Sequence, residues 1–146
     1  MTKNTLSPCP ACSALNRVTL PESTSKKPVC GKCGTALAFH DGFSEVNAAG
    51  LKALRAKSSL PVVADFWAPW CGPCRSFAPV FQAAVHQTPN VVFVKVNTEA
   101  HPEANAAYGV RGIPTMILFQ NGTERDRVSG ALPLPQFLQW IEGARQ

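Results

Sequence analysis

Six cysteines form three Cys-x-x-Cys pairs in this 146-residue chain. The pair Cys71 and Cys74 follows the apolar run 62–67 and precedes a helical pattern. A thiol at a helix N-terminus faces unpaired N–H groups and the positive end of the helix dipole, so we expect a lowered pKa for Cys71. Cys74 lies one turn further along and can close a disulfide. The spacing predicts a redox-active dithiol, with Cys71 as the nucleophile and Cys74 as the resolving thiol.

The competing interpretation of this pair is half of a zinc site, or two buried thiols without a role. A zinc site would need two further cysteines, and the N-terminal four already form a complete set. Trp67 and Trp70 flank the pair, which favours an apolar surface where protein substrates dock.

Two charged residues interrupt apolar strand patterns. Asp65 lies within the run 62–67, and Lys95 lies within the run 91–97. Isolated buried charges are costly, so we expect the two to be neighbours. Burial should raise the pKa of Asp65, and the positive charge of Lys95 should oppose that rise. Such a carboxyl behind Cys74 can accept the thiol proton; a purely structural ion pair is the alternative.

Pro114 begins a strand pattern where no turn is required. A proline at this place is compatible with a cis peptide bond, which is rare and usually functional. An ordinary trans proline opening an edge strand is equally compatible with the sequence.

The other four cysteines have the spacing of a zinc ribbon, Cys9-x2-Cys12-x17-Cys30-x2-Cys33. Two such knuckles can bring four thiolates to a tetrahedral zinc ion in a closed, structural site. An iron–sulfur or other soft-metal centre, or two local disulfides, are the alternatives. Because four cysteines fill the coordination shell, the histidines are expected to be ordinary surface or linker residues: His40, His86 and His101.

Composition and charge limit the remaining classes of function. No run approaches the ~18 apolar residues of a membrane span, and the N-terminus lacks a signal-peptide pattern. We therefore expect a cytoplasmic protein whose thiols are kept reduced. Of the formal charge of +5, +4 falls within residues 1–40, but four zinc-bound thiolates would reduce that share to +2. With no aromatic residue before Phe39, a nucleic-acid partner is disfavoured.

The chain divides into two predicted modules. Residues 1–38 read as a small loop-rich unit with too little apolar material for its own core, so a metal would have to stabilise it. Residues 39–146 alternate strand and helix patterns, which predicts an α/β fold with helices on both faces of a mixed sheet. The predicted strands are 43–46, 62–67, 91–97, 115–120 and 124–129. The predicted helices are 48–57, 71–87, 102–108 and 135–144.

From about residue 43 to the C-terminus the motifs resemble the thioredoxin family. The matching residues are Asp65 to Cys74, Pro79, Lys95, Gly112 to Thr115, and Gly130. The cysteine-bearing extension resembles that of the zinc-containing thioredoxin 2 branch. The resemblance implies a thioredoxin fold and a protein-disulfide reductase.

The resemblance also implies roles for individual residues. The implied catalytic group is Cys71, Cys74, Asp65, Lys95 and Pro114. The implied substrate-binding group is Trp70, Gly72, Pro73, Ile113 and Gly130. The Gly-Pro dipeptide between the cysteines is the version found in reducing members.

Partners follow from the same resemblance. They are the NADPH-dependent flavoprotein thioredoxin reductase as electron donor, and disulfides in proteins such as ribonucleotide reductase and peroxide-handling enzymes as acceptors. We expect a monomer without a membrane partner. Two other functions stay open at this point: a zinc-ribbon binding module for protein or nucleic acid, and a sensor of redox state or zinc.

Overall fold

The computed structural model describes residues 3–20 and 27–145. Its strands are β1 (Lys3–Pro8), β2 (Leu15–Leu20), β3 (Phe39–His40), β4 (Phe43–Glu45), β5 (Val62–Trp67), β6 (Val92–Asn97), β7 (Thr115–Gln120) and β8 (Thr123–Ser129). Its helices are α1 (Ala48–Lys57), α2 (Gly72–Gln87), α3 (Glu103–Tyr108) and α4 (Leu134–Ala144).

Six of the described strands form one mixed sheet in the order β3-β4-β6-β5-β7-β8. Strands β4, β6 and β5 are parallel, whereas β3, β7 and β8 each pair antiparallel with a neighbour. The central strands are buried along nearly their whole length, as runs of β-branched residues covered on both faces should be. Strands β3 and β8 form the two edges.

Helices cover both faces of this sheet. Phe77 and Phe81 of α2 pack with Phe137 of α4 on one face. Leu51 and Leu54 of α1 pack on the opposite face. The predicted α/β architecture with helices on both faces of a mixed sheet is therefore confirmed. None of the helices in the described part of the chain has the length and apolar character needed to cross a bilayer.

The predicted element bounds agree closely with those observed after residue 43. Asn121 and Gly122 both have positive φ at the β7–β8 turn, as the Asn-Gly signal predicts. The N-terminal segment differs from its predicted loop-rich character, because β1 and β2 form an antiparallel hairpin with six paired positions. Its apolar positions are too sparse for a strand pattern to stand out from the sequence.

The N-terminal hairpin is attached to the main sheet by buried contacts. The Ser44 hydroxyl of β4 donates a 2.8 Å hydrogen bond to Ser7 Oγ of β1, and both side chains are buried. Leu6 and Leu15 pack against the apolar cluster beneath α1. The hairpin therefore shares part of its apolar burial with the main sheet.

The buried serine pair should contribute measurably to stability. Replacing Ser44 by alanine leaves Ser7 Oγ without its donor in a site that water does not reach, so we expect S44A to lower the free energy of unfolding by about 1–2 kcal/mol. Urea denaturation measures this loss. In the double variant S7A/S44A the two losses should be less than additive. Exposed Ser76 provides the control, since S76A should stay within about 0.5 kcal/mol of the wild type. Full additivity in the double variant would contradict the proposed coupling.

Candidate active site and four-cysteine cluster

The dithiol lies where β5 leads into α2. Cys71 is the N-cap of the helix, and its Sγ accepts a 3.2 Å hydrogen bond from the Cys74 backbone N–H. Pro73 occupies the first turn, where its missing N–H leaves no helical bond unmade. Cys71 and Cys74 form a disulfide, with their Cα atoms 5.2 Å apart, and both are buried. The structure thus holds the pair in its oxidised form at a helix N-terminus.

A second segment meets the dithiol at Pro114. The Ile113–Pro114 peptide bond is cis, and the Ile113 carbonyl oxygen lies 3.8 Å from Cys71 Sγ. The Pro114 carbonyl accepts a 2.8 Å hydrogen bond from the Gly130 N–H. Gly130 has a φ of +101°, a backbone conformation that favours glycine. The predicted residues Cys71, Ile113 and Pro114 are therefore brought together, and Gly130, which directly follows β8, hydrogen-bonds to Pro114.

Exposed residues surround the buried sulfur atoms. Trp70 has 67% of its surface exposed, which is unusual for an aromatic side chain, and Gly72 and Pro73 are also exposed. A small cavity lies next to this tryptophan; its lining residues are Trp70, Thr98, Asn105, Val110, Arg111 and Ile113. The rim beside the dithiol therefore combines the exposed Trp70 ring with polar side chains such as Thr98 and Arg111.

Asp65 and Lys95 lie opposite each other on neighbouring strands. They are register partners in β5 and β6, with Lys95 Nζ 4.0 Å from Asp65 Oδ2. Asp65 is 1% exposed, and its Oδ1 has no hydrogen-bond partner among the described residues. Burial raises the pKa of Asp65 to about 7, and the positive charge of Lys95 opposes this rise without cancelling it. A carboxyl of this kind can take up or release a proton near neutral pH.

Three aromatic residues that the sequence motifs do not indicate surround Lys95. Its Nζ lies 4.5 Å from the centroid of the Trp67 ring, 5.6 Å from that of Phe81 and 5.8 Å from that of Phe43. These contacts favour a buried ammonium group through cation–π attraction. Trp67 also packs against the cluster that contains Cys71 and Cys74, so it connects the ion pair to the dithiol. The three aromatic residues lie far apart in the sequence, and no local motif announces them.

The four remaining cysteines form a separate cluster at the N-terminal hairpin. Their Sγ atoms all lie within 4.8 Å of one another, with Cys9 to Cys33 at 3.5 Å and Cys12 to Cys30 at 3.8 Å. Thiolates at about 2.3 Å from a tetrahedral zinc ion are about 3.8 Å apart. The cluster therefore fits one metal ion and can hold it with four sulfur ligands.

The two halves of this cluster have the same backbone geometry. The N–H groups of Cys9 and Cys30 donate to the carbonyls of Ala14 and Thr35, at 2.9 and 2.8 Å. Backbone N–H groups also point at the sulfur atoms; those of Cys33 and Lys32 lower the pKa of Cys30 to about 6. These N–H groups favour the thiolate form of Cys30, which is the form that binds metals.

Taken together, the fold and the dithiol site define a thiol–disulfide oxidoreductase. The family model described as Thioredoxin matches residues 43–143, and the chain belongs to the thioredoxin family. The predicted family, thioredoxin fold and enzyme class are thereby confirmed.

Individual relatives agree with this assignment. Thioredoxin C-3 from Corynebacterium nephridii is 42% identical over 134 residues, which cover 92% of this chain and 91% of that protein. A match of that length extends into the N-terminal segment. Thioredoxin 1 from Synechococcus elongatus is 50% identical over 78 residues, covering 53% of this chain and 73% of that protein. The solved structure of a mutant thioredoxin from Halobacterium salinarum is 31% identical, with a TM-score of 0.65, and covers 73% of this chain and 93% of that one.

The raised pKa of Asp65 predicts a specific dependence of stability on pH. Between about pH 4 and about pH 7 the unfolded chain ionises this carboxyl while the folded protein keeps it protonated, so stability falls as the pH rises through this window. D65N has no such loss. Its stability advantage over the wild type should grow across the window and then stay constant, reaching roughly 2–4 kcal/mol. Urea denaturation at a series of pH values measures it.

Glu99 offers the control for this measurement, because it is an exposed acid that follows β6. E99Q should run parallel to the wild type at every pH. Parallel curves for D65N and the wild type would contradict the raised pKa.

Proposed function

We propose that this protein is a protein-disulfide reductase that uses Cys71 and Cys74 as its dithiol. The observation that carries this proposal is the placement of both sulfurs at the N-terminus of α2, with the Ile113 carbonyl of the cis Ile113–Pro114 peptide 3.8 Å from Cys71 Sγ. A helix N-terminus stabilises a thiolate, and the neighbouring backbone is available to an incoming chain.

Substrate docking is assigned to the rim of the dithiol. Trp70 supplies exposed apolar area, and Gly72 and Pro73 leave the first turn of α2 accessible. The backbone at Ile113 would pair with an extended substrate segment, in the manner of strand addition, and Gly130 would form part of the docking surface.

The chemical step is thiol–disulfide exchange in two stages. In the reduced protein, the Cys71 thiolate attacks one sulfur of the substrate disulfide, forming a mixed disulfide while the other substrate sulfur leaves as a thiolate. The Cys74 thiol then passes its proton to the Asp65 carboxylate and attacks Cys71 Sγ. The remaining substrate sulfur leaves with the bonding pair. The substrate gains two electrons, and the protein is left with the Cys71–Cys74 disulfide.

Asp65 suits this proton transfer because its pKa of about 7 allows it to accept and release a proton near neutral pH. Lys95 is assigned the role of partner that keeps the carboxylate form accessible, since its ammonium group lies 4.0 Å from Oδ2. Pro114 is assigned to shaping the backbone that faces Cys71.

The donor and acceptors follow from family membership, since thioredoxins generally act with thioredoxin reductase and disulfide substrates. We propose reduction of the Cys71–Cys74 disulfide by NADPH-dependent thioredoxin reductase. Ribonucleotide reductase and peroxide-handling enzymes are the proposed acceptor classes. We also propose that the protein works as a cytoplasmic monomer without nucleic acid.

For the N-terminal cluster we propose one structural zinc ion held by Cys9, Cys12, Cys30 and Cys33, as in the zinc-containing thioredoxin 2 branch. The sulfur spacing and the backbone N–H groups aimed at the thiolates support this assignment. When bound, zinc would cross-link the two knuckles; no step of the redox reaction passes through it.

The proposed module boundary lies between residues 38 and 39. The hairpin of β1 and β2 forms its own sheet, whereas β3 begins at Phe39 in the six-stranded sheet. The Phe39 side chain nevertheless packs with Cys9 and Cys30, so the two modules share a buried contact at the boundary.

Substitution of the two dithiol cysteines separates their proposed roles. C71S should lower the rate of insulin reduction by at least about 100-fold, because the attacking thiolate is absent. C74S should still attack, but it cannot resolve the mixed disulfide, so intact mass measurement should reveal a covalent adduct with a disulfide substrate. S76A, on the exposed side of the same helix, should keep wild-type activity. Insulin reduction by C71S at the wild-type rate would refute the mechanism.

Metal analysis tests the assignment of the N-terminal cluster. The wild type purified under reducing conditions should contain about one zinc per chain, and C30S should lose most of it because a tetrahedral site is left with three thiolates. C71S is the matched control, since it removes a cysteine outside the cluster and should retain full zinc content. Equal zinc content in C30S and the wild type, or no metal in either, would contradict the assignment.

A further inference from the structure

Arg127 of β8 reaches across to the C-terminal end of α3. Its Nη2 donates to the Tyr108 carbonyl at 2.9 Å, and its Nη1 lies 3.3 Å from the Gly109 carbonyl oxygen. These carbonyls end a helix that Gly109 terminates in the left-handed conformation. Terminal carbonyls of a helix have no intrahelical donors and carry its partial negative charge, so a guanidinium group both pairs and neutralises them.

Glu124 fixes the direction of this guanidinium group. Its two carboxylate oxygens accept from Arg127 Nε at 2.6 Å and from Nη2 at 2.7 Å. Such a bidentate pair restricts the arginine to one geometry. Both side chains are only about one-third exposed, so solvent screens this pair less than a fully exposed ion pair.

The loop beyond this contact carries the backbone that faces the dithiol. It runs from residue 109 to 114, and the N–H of Gly130, the residue that follows β8, holds its far end through the Pro114 carbonyl at 2.8 Å. Strand β8 and the residue that follows it therefore hold the loop at both ends. Between the two contacts, Val110, Arg111 and Ile113 form part of the wall of the cavity beside Trp70.

We propose that Arg127, oriented by Glu124, is a positioning residue that orders the 109–114 loop for docking of disulfide substrates. This inference rests on the proposed function of the dithiol. Arg127 has no role in the sulfur chemistry itself. Its loss therefore weakens substrate docking, because a loop that is already ordered has less conformational freedom to lose when a protein substrate binds.

Stopped-flow kinetics on the reduced full-length protein tests the proposal. Oxidation of the dithiol is followed by tryptophan fluorescence against two substrates: insulin, which must dock, and a small aromatic disulfide, which needs no extended groove. R127M should raise the half-saturating insulin concentration about threefold to tenfold, because part of the binding free energy is then used to order the loop. Its limiting rate and its rate with the small disulfide should match the wild type. E124Q should raise the half-saturating insulin concentration by a smaller factor than R127M. R127K should give a value between those of R127M and the wild type.

Arg125 supplies the matched control, because it is an exposed arginine on the same strand. R125M should behave as the wild type with both substrates. A half-saturating insulin concentration that is unchanged in R127M overturns the proposal. An equal loss of rate with insulin and with the small disulfide also overturns it. If R127M does not fold, E124Q and R127K decide the question by the same readout. A wild type that oxidises with the small disulfide but does not reduce insulin would refute the proposed function instead.

Discussion

Strand β5 crosses the middle of the sheet, and its C-terminal end leads directly to the two cysteines of the dithiol. It lies between β6 and β7, and Asp65 within it is almost completely shielded from solvent. A carboxyl in such a place favours its neutral form unless a cation lies nearby. Lys95 at the same register provides that cation, at a distance that only partly offsets the cost of burial. The central position of β5 thus sets both the proton affinity of Asp65 and the place where α2 begins.

The N-terminal segment meets a different constraint, which is its shortage of apolar side chains. Its small buried cluster contains Cys9, Val18, Cys30 and Leu37. Phe39, from the edge strand of the main sheet, packs into the same cluster. Two of its buried members are therefore ligands in the proposed metal site, so metal binding and packing involve the same side chains. The buried contact of Ser7 with Ser44 then joins this unit to β4. We expect the stability of the segment to depend on both the proposed metal and this contact, because its buried apolar cluster is small.

Much of the main sheet could be predicted because its strands are continuous apolar runs and its turns carry strong local signals. The helix at 48–57 and the strands at 62–67 and 115–120 have the predicted bounds. The dithiol and the four-cysteine cluster could also be predicted, because the spacing of their cysteines along the chain is a local signal. Contacts between segments that are distant in the sequence could not be predicted. Lys95 is surrounded by Phe43, Trp67 and Phe81 only after folding. For a charged strand residue such as Arg127, the sequence predicts only a solvent-facing side chain.

Both edges of the main sheet have features that limit strand pairing with other molecules: one edge is short, and the other is charged. Strand β3 contributes only two residues to its edge. Strand β8 is longer, but its sequence from Thr123 to Ser129 carries four charged side chains, and none of its seven residues is fully buried. Short or charged edges discourage pairing with strands of other molecules. These two edges therefore disfavour edge-to-edge aggregation, and in the proposed mechanism an extended substrate segment pairs instead with the backbone beside Cys71.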